Sequence, residues 1–594
     1  MKKIYFQFFV LFGLSSFILF FVPSCKKSGS FLAETSTTNL TQSTVFADSS
    51  RTEGFLANIY ASVGFSILPS RFQANYTVCG GLDAASDESE PSHTYATDAS
   101  GFATGTINAG TVSNEPYNTC YTQIRAVNQL LANIHLTKMQ AANKTEVVAE
   151  ARFLRAWYYS ILVEHYGGVP LVGDSLYTYL TPIDVKRATY DACVSYITSE
   201  CDAAATVLPL TQNGLNWGRV SKGACMALKA RVLLYAASPL FNGTTLPADA
   251  GNSSSGKVDE SLVGYKDSLR SRWQLAENAA QAVITSGAYD LNTANTYQTT
   301  TPGYGFQGLF PQRVNTEYIF QLMRGANTEL ENLFLPPSRS GANGAFPYQG
   351  LVDAFPMSNG KLITDPTSGY DPNDPYSNRD PRLNYSIIHD QTVLNVRTGN
   401  GLISGQAPVN IYRGNNNDQN PDAVHQGTVT GYYCNKMLDP AAIAATIAFP
   451  SNRCLPLIRY AEILLDYAEA ANEYEGPTYN VYQAVEKIRQ RAGLNPFQLP
   501  AGLSQADMRT YIRNERRIEL AFEGHRFFDV RRWKIATQTE NIQAKGMEVD
   551  RNGSAVAYNE FNVTKHNFKP SMYLWPFPIS ETGKSKTLIQ NPGY

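Results

Sequence analysis

Between Val147 and His165 the chain places Val147, Ala151, Leu154, Tyr158, Ile161 and His165 at spacings of 4, 3, 4, 3 and 4 residues. Only an α-helix gathers such positions on one face, and Gly167, Gly168 and Pro170 stop it. The same period recurs on both sides of a long interruption. Helices are expected at Glu53 to Val63, Tyr117 to Ile134, Tyr190 to Val207 and Ser268 to Thr285. Another carries Cys225, Leu228, Val232 and Tyr235 and must end at Ser238, because Pro239 follows. Later, Ile458, Ala461, Leu465 and Ala468 define a helix closed by Gly476 and Pro477, and Tyr479 to Ala492 follows almost at once. Ser504 with Asp507 resembles a capping box opening a helix to about Phe522. Alanines at close-approach positions (Ala468, Ala470, Ala471, Ala484) give these pairs the look of tetratricopeptide hairpins. No strict repeat of about 34 residues is present, so a plain helical bundle stands as the alternative. The fold class read from these residues is all-α, overlaid by long irregular loops with a few short strands.

The interruptions are as informative as the helices. Pro69 to Asn114 has Gly, Asn, Asp and aromatics without a period, and loops of that length are usually functional or disordered. From about Ala288 to Pro456 Gly, Pro and Asn become dense, and Tyr318 to Met323 and Thr428 to Tyr433 read as short strands. The organisation expected is one domain over 51–594. Its helical scaffold spans 51–287 and 457–535, with a loop-rich insertion at 288–456 and a C-terminal segment at 536–594. With 35 Tyr, 29 Phe and 5 Trp, the loops carry flat rings suited to planar or ring-shaped ligands.

Ahead of this domain, Lys2 and Lys3 precede an apolar run from Ile4 to Val22, followed by Pro23, Ser24 and Cys25. A small residue before a cysteine is the cleavage pattern of a bacterial lipoprotein signal, so residues 1–24 read as signal peptide and Cys25 as the acylated N-terminus. A secretory signal or a retained span is the alternative. Residues 25–50, rich in Ser and Thr, read as a lipid-anchored tether.

Catalytic signatures are scarce. The 49 basic and 51 acidic residues nearly balance, with no basic stripe, which argues against nucleic acid. Once Cys25 is set aside, Cys79, Cys120, Cys193, Cys201, Cys225, Cys434 and Cys454 are odd in number and irregularly spaced, so they define no disulfide framework and read mostly as small buried hydrophobes. The histidines are scattered, with no metal-binding spacing, and His165 and His525 read as structural. Gly583, Lys584 and Ser585 imitate the end of a phosphate loop but lack its first glycine. Asp371, Asn373 and Asp374 alternate like calcium ligands, yet Pro372 and Pro375 make consecutive turns the better reading. No metal, cofactor or catalytic residue is assigned. The densest charge cluster, Ile512 to Lys534, puts Glu515, Glu519 and Glu523 on one helix face with arginines close in sequence, and reads as an ion-paired helix rather than an anion or acid site.

Six blocks then carry a resemblance. EARFLRAWYYSILVEHYGGVPLV (Glu150 to Val172), GRVSKGACMALKARVLLYAASPLF (Gly218 to Phe241), YDPNDPYSNRDPRL (Tyr370 to Leu383), RYAEILLDYAEAANE (Arg459 to Glu473), ERRIELAFEGHRFFDVRRW (Glu515 to Trp533) and the C-terminal LWPFPISE with QNPGY resemble, in order, the SusD/RagB family of outer-membrane nutrient-binding lipoproteins. The resemblance covers essentially the whole mature chain. It implies a tetratricopeptide scaffold under irregular loops, and capture of a nutrient, an oligosaccharide or in some relatives a peptide. It further implies a role as lid over a SusC-like TonB-dependent transporter, at the outer membrane and on the cell surface. Many surface-exported relatives have acidic residues after the acylated cysteine; here Lys26 and Lys27 stand instead, so the membrane face is inferred from the family.

The resemblance also places binding sites on the variable loops, here Pro69 to Asn114 and Tyr304 to Tyr348. The residues expected to contact ligand are Tyr76, Asp83, Asp87, Tyr95, Phe102, Tyr304, Phe306, Arg324 and Tyr348, with rings stacking on sugar faces and polar groups meeting hydroxyls. Three rivals stand beside non-catalytic glycan binding. One is a peptide binder in which Arg324 matters most. Another is a glycosidase built on Asp83, Asp87, Glu88 and Glu90, and the last is a purely structural partner of the transporter.

Overall fold

The computed structural model describes residues 42–72, 80–91, 98–178, 185–245, 252–253, 256–293, 301–341, 344–398, 401–413, 420–444, 448–585 and 587–594. Cys25, Lys26, Lys27, Tyr76, Cys79 and Tyr95 lie outside them. The long helices among the described residues are α1 (Ser49–Tyr60), α2 (Glu115–Asn133), α3 (Ala141–Tyr166), α4 (Tyr190–Ala205), α5 (Lys222–Ala237), α6 (Ser271–Thr285), α7 (Tyr460–Tyr474), α8 (Tyr479–Ala492) and α9 (Gln505–Glu519). Their starts are chemically marked. Asp48, Thr189, Ser221 and Ser504 are extended residues whose side chains accept from the backbone N–H of Arg51, Ala192, Ala224 and Asp507. At the other end, α8 closes on Gly493 in the left-handed conformation, φ 85°, which a side chain would strain.

Helix packs on helix in order from α2 to α6, and α6 then packs directly on α7. The insertion is therefore spliced out of a continuous stack of tetratricopeptide-like hairpins. Small residues and one ion pair make the seam. Leu234, Ala276 and Ala470 form their own buried cluster there, and Arg231 of α5 grips Glu462 of α7 through Nε and Nη2 at 2.6 and 2.7 Å.

Strands occur only in antiparallel pairs among the described residues. They include β1 (Ser89–Pro91), β2 (Tyr318–Leu322), β3 (Ala345–Pro347), β4 (Val393–Arg397), β5 (Ile403–Pro408), β6 (Leu455–Arg459), β7 (Gln543–Asn552) and β8 (Ala555–Lys565). β1 pairs with β3, β2 with β6, β4 with β5 and β7 with β8. Both strands of the β2–β6 pair are buried throughout, and together they close the neck where the insertion leaves and rejoins the helices. The strand expected at Thr428 to Tyr433 shrinks to Tyr433–Cys434, paired with Ile387–Ile388. Pro69 to Asn114 is not a simple loop: it contains β1 and a helix at Asp98–Thr104. Cys120, Cys193, Cys201, Cys225, Cys434 and Cys454 are buried and unpaired. No helix among the described residues is long and apolar enough to cross a membrane, and Asp371 Oδ1 accepts from the backbone N–H of Asn373 in a turn.

The charged segment at Ile512 to Lys534 departs from its sequence reading. Ion pairing is present, but within this segment only Asp529–Arg532, at 2.8 Å, is formed within one turn. Arg516 also meets Asp529 of the short helix Arg526–Arg532 at 2.8 Å, and the other partners come from distant elements. Arg516 meets Asp466 of α7, Arg532 meets Glu469 of α7, and Arg526 meets Asp87. Glu515, Glu519 and Glu523 join a larger network with Arg382, Lys436, Arg459, Arg489, Arg491, Glu317 and Asp380, five cations against five anions, all buried. Charges this deep are tolerated only when each is paired and hydrogen-bonded. Sequence spacing reveals the charged face of α9 but not which remote elements meet it.

Candidate ligand-binding cavity

Five of the residues expected to bind ligand are core. Phe102 is 1% exposed, with its ring 5.1 Å from Phe527 and 4.7 Å from Trp575. Phe306 is fully buried beneath Lys436 and Arg491, whose charges lie 5.1 and 5.3 Å from its ring. Tyr348 is buried and shares its hydroxyl between Glu90 and His566 Nε2, the latter at 3.1 Å. Asp87 is buried and bidentate to Arg526 at 2.8 Å. Burial alone would raise its pKa, but Arg526 and Arg517 hold its carboxyl well below the usual range. Asp83 accepts from the backbone N–H of Gly524 at 3.2 Å. None of the five offers a face to a ligand in this fold. Phe102, Phe306 and Asp87, which look like loop residues in sequence, cover or pair the buried Arg531, Arg491 and Arg526, whereas Tyr348 and Asp83 are hydrogen-bonded within the core. Tyr304 and Arg324 are half-buried, Arg324 paired with Glu329.

The same burial bears on Asp83, Asp87, Glu88 and Glu90 as catalytic candidates. Glu88 is 0% exposed, neither carboxylate oxygen has a hydrogen-bond partner, and Arg517 Nε is 3.8 Å away. Burial pushes its pKa up to about 8 and that of Asp83 up to about 7. A raised folded-state pKa means the neutral acid is favoured, so this contribution to stability is full below the unfolded value near pH 4 and is lost as pH rises through about 8. Glu88→Gln, a neutral isostere, is therefore expected to leave Tm unchanged at pH 5 and to raise stability at pH 8.5 by about 1–2 kcal/mol. Thermal melts at the two pH values check this; an equal shift at both contradicts it.

The large opening lies in the insertion. A cavity of about 1030 Å³ is bounded by the β4–β5 hairpin, by residues within 435–444 and 448–449, by the turn at Pro337–Arg339 and by the chain around Tyr385 and His389. Gln307, on the short helix begun by Tyr304, adds to the wall. Local chemistry fixes each side. Asn395 on β4 accepts from Gln406 on β5 at 3.1 Å and donates to the Pro440 carbonyl at 3.0 Å, tying hairpin to opposite wall. The Tyr385 hydroxyl donates to the Pro302 carbonyl at 3.1 Å, which sets the pitch of its ring. His389 stacks on Tyr376 with centroids 4.0 Å apart and 16° between planes. Burial holds its pKa down to about 4, so the imidazole is neutral. Phe449, 39% exposed, stands at the rim.

This volume is at the upper end for small-molecule sites. Its lining of amides, hydroxyls and flat rings can donate to and accept from many hydroxyl groups while stacking on an apolar face. Two carboxylates reach it, Glu331 and Asp439. Both oxygens of Glu331 are held by Arg453 at 2.6 Å. Among the described residues no group of acidic, His and Cys side chains could hold a metal ion.

Sequence reading pointed to the insertion but missed Tyr385, His389, Asn395 and Phe449. One signal was present: Gly-Asn-Gly after Thr398, between Val393–Arg397 and Ile403–Pro408, is a hairpin turn sequence. Nothing in sequence brings residues 435–444 against that hairpin.

Residues 288–594 match the model of a family described as the SusD family, and residues 31–234 match one described as starch-binding associating with outer membrane. SusD-like protein P2 of Formosa agariphila is 33% identical over 150 residues, 24% of this chain and 26% of that protein. The chain thus spans about a quarter of the length of that curated relative. A SusD-like protein of Bacteroides fragilis superposes with a TM-score of 0.72 at 24% identity, covering 93% of this chain and 98% of the other. A SusD-like carbohydrate binding protein from the same species gives 0.70 at 22% identity, covering 92% and 100%. At these identities the two structures establish the fold.

Proposed function

The chain belongs to the SusD family, and from that premise we propose that it is a non-catalytic lipoprotein that captures an oligosaccharide in the insertion cavity and passes it to a SusC-like TonB-dependent transporter, over which it acts as lid. The observation that carries this reading is the cavity itself: about 1030 Å³ lined by Tyr385, Asn384, Asn395, Gln391, Gln406 and Asn435, groups matched to sugar rings and hydroxyls. The descriptions of the second matched family, starch-binding and outer-membrane associated, and of the carbohydrate-binding Bacteroides fragilis neighbour support it. Hydrolysis needs two free carboxylates about 5–9.5 Å apart across the bond cleaved; of the pair lining this cavity, Glu331 is already spent on Arg453. Acylation at Cys25 with the Ser/Thr tether behind it accounts for attachment to the outer membrane while the helical body swings.

Calorimetry of the mature chain against a panel of neutral oligosaccharides and peptides tests the reading. Tyr385→Ala and Asn395→Ala are each expected to weaken glycan binding about tenfold, ~1.4 kcal/mol. Binding of peptides alone, unaltered affinity in both variants, or release of reducing sugar would each overturn it. Cys25→Ala is expected to move the protein out of the membrane fraction, and protease treatment of intact cells reports which face the anchor holds.

A further inference from the structure

Among the described residues, Arg339 and Arg397 of the cavity wall form no ion pair with a carboxylate, although the charge of Asp439 acts on Arg397. Arg339 donates from Nη1 to Ser338 Oγ at 2.8 Å and from Nη2 to the carbonyls of Ala407 and Pro408 at 3.1 and 3.4 Å, and its Nε is buried with no hydrogen-bond partner. Arg397 donates from Nη2 to the carbonyls of Pro440 and Ala442 at 2.8 and 3.0 Å, and from Nη1 to that of Gly401 at 3.2 Å. Carbonyls hold a guanidinium in place but leave its full positive charge. Arg382, Arg459, Arg516 and Arg532 are set against carboxylates in the core, whereas Arg187 and Arg379 are buried against backbone carbonyls alone; what distinguishes Arg339 and Arg397 is that they line an open cavity.

The remaining charges do not restore balance. Glu331 is neutralised by Arg453, and His389 is neutral, which leaves Asp439 as the single negative group among the described lining residues against two positive ones. Burial lowers the Arg397 pKa from its ordinary value, the direction expected of a partly desolvated cation lacking a full counter-charge. The two groups are also separated. Arg339 is tied to the Ala407 and Pro408 end of β5, opposite Val393 and Leu394, whereas Arg397 is opposite Ile403 at the other end of the hairpin. At a strand rise of ~3.3 Å per residue the backbone positions that anchor them lie roughly 10–13 Å apart along the hairpin.

We propose that this cavity is built for an anionic oligosaccharide, bearing carboxylate or sulfate groups on separated sugar units that Arg339 and Arg397 engage; the proposal rests on the reading of the cavity as a glycan site. With each Nη2 committed to carbonyls, the guanidinium charge and the Nη1 groups are what either oxyanion meets, and anchor points at opposite ends of the hairpin suit an oligomer.

Calorimetry on the mature chain with three probes decides it: oligogalacturonate, the same oligomer with its carboxyls reduced to alcohols, and a sulfated galactan oligomer. At least one acidic probe is expected to bind about tenfold or more tightly than the reduced oligomer, with a preference that shrinks as salt rises. Whichever acidic probe binds tighter identifies the anion. Arg339→Gln and Arg397→Gln are each expected to lower the ratio of acidic to reduced-oligomer affinity. Equal affinity for the acidic and reduced oligomers overturns the anionic assignment and leaves the glycan reading standing. Failure of all three probes overturns the assignment, and the neutral and peptide panel then reports separately on the cavity as a glycan site. If a glutamine variant does not fold, the ratio of acidic to reduced affinity on the unaltered chain still upholds or overturns the assignment.

Discussion

Replacing Glu519 by glutamine is expected to cost about 3–5 kcal/mol of folding stability. Glu519 is 0% exposed and is the hub of the buried network. Its Oε1 accepts from Arg459 at 2.7 Å and from Arg491, and its Oε2 accepts from Arg382 at 2.8 Å. Those arginines come from β6, α8 and the short helix Pro381–Ser386, so one carboxylate joins the helical stack to the insertion. Removing its charge leaves five buried cations facing four anions, and an uncompensated buried charge is what makes broken buried pairs expensive. The pH dependence has a defined sign. Burial would raise the Glu519 pKa, but Arg491, Arg459 and Arg382 overcome it and hold the carboxyl well below its ordinary value. A depressed folded-state pKa gives stability that is present above the unfolded value near pH 4 and lost as pH falls below it. Denaturant melts followed by circular dichroism are therefore expected to show a loss at pH 7 in Glu519→Gln that narrows in acid. A loss under about 1 kcal/mol at pH 7 would mean that water reaches the network.

The second large effect concerns Trp575. Trp575→Ala is expected to cost about 3–5 kcal/mol, whereas Trp575→Phe retains most of the packing. The indole is 1% exposed and lies 4.7 Å from Phe102, 4.8 Å from His165 and 6.2 Å from Phe527, with the Arg71 guanidinium 5.3 Å from its ring. Its backbone N–H donates to the His165 carbonyl at 2.7 Å, and its own carbonyl accepts from Asn591 at the same distance. One residue thus fastens the C-terminal segment to α3 and to the helix Asp98–Thr104. Besides the stability loss, Trp575→Ala is expected to make residues 98–114 sensitive to limited proteolysis at concentrations that spare the parent chain. Unchanged protection there would show that Phe102 and Phe527 hold this segment without the indole.

The helical scaffold was legible because its signal is local. Periodicity, caps and stops fix α8 at both ends, place α4 and α6 within a few residues and identify Ser504 as a cap. The β7–β8 hairpin went unread although Asn552-Gly553 announces its turn, since one face of β8 is exposed and its alternation is weak. Site residues were the poorest reading. Phe102, Phe306 and Tyr348 sit in aperiodic stretches, where sequence cannot separate a ring displayed to solvent from one packed into the core.

The chain's sequence by itself determined the all-helical class, the break between α6 and α7, the structural role of the charged face on α9 and the family. Each depends on residues close in sequence or on blocks long enough to recognise. Only the tertiary structure decided that α6 packs on α7, that α9 draws its counter-charges from β6, α8 and α7, and that the large cavity opens between β4–β5 and residues 435–444. Those facts rest on contacts between segments tens to hundreds of residues apart. Their partners are chosen by burial and charge pairing in the assembled fold, which no local pattern encodes.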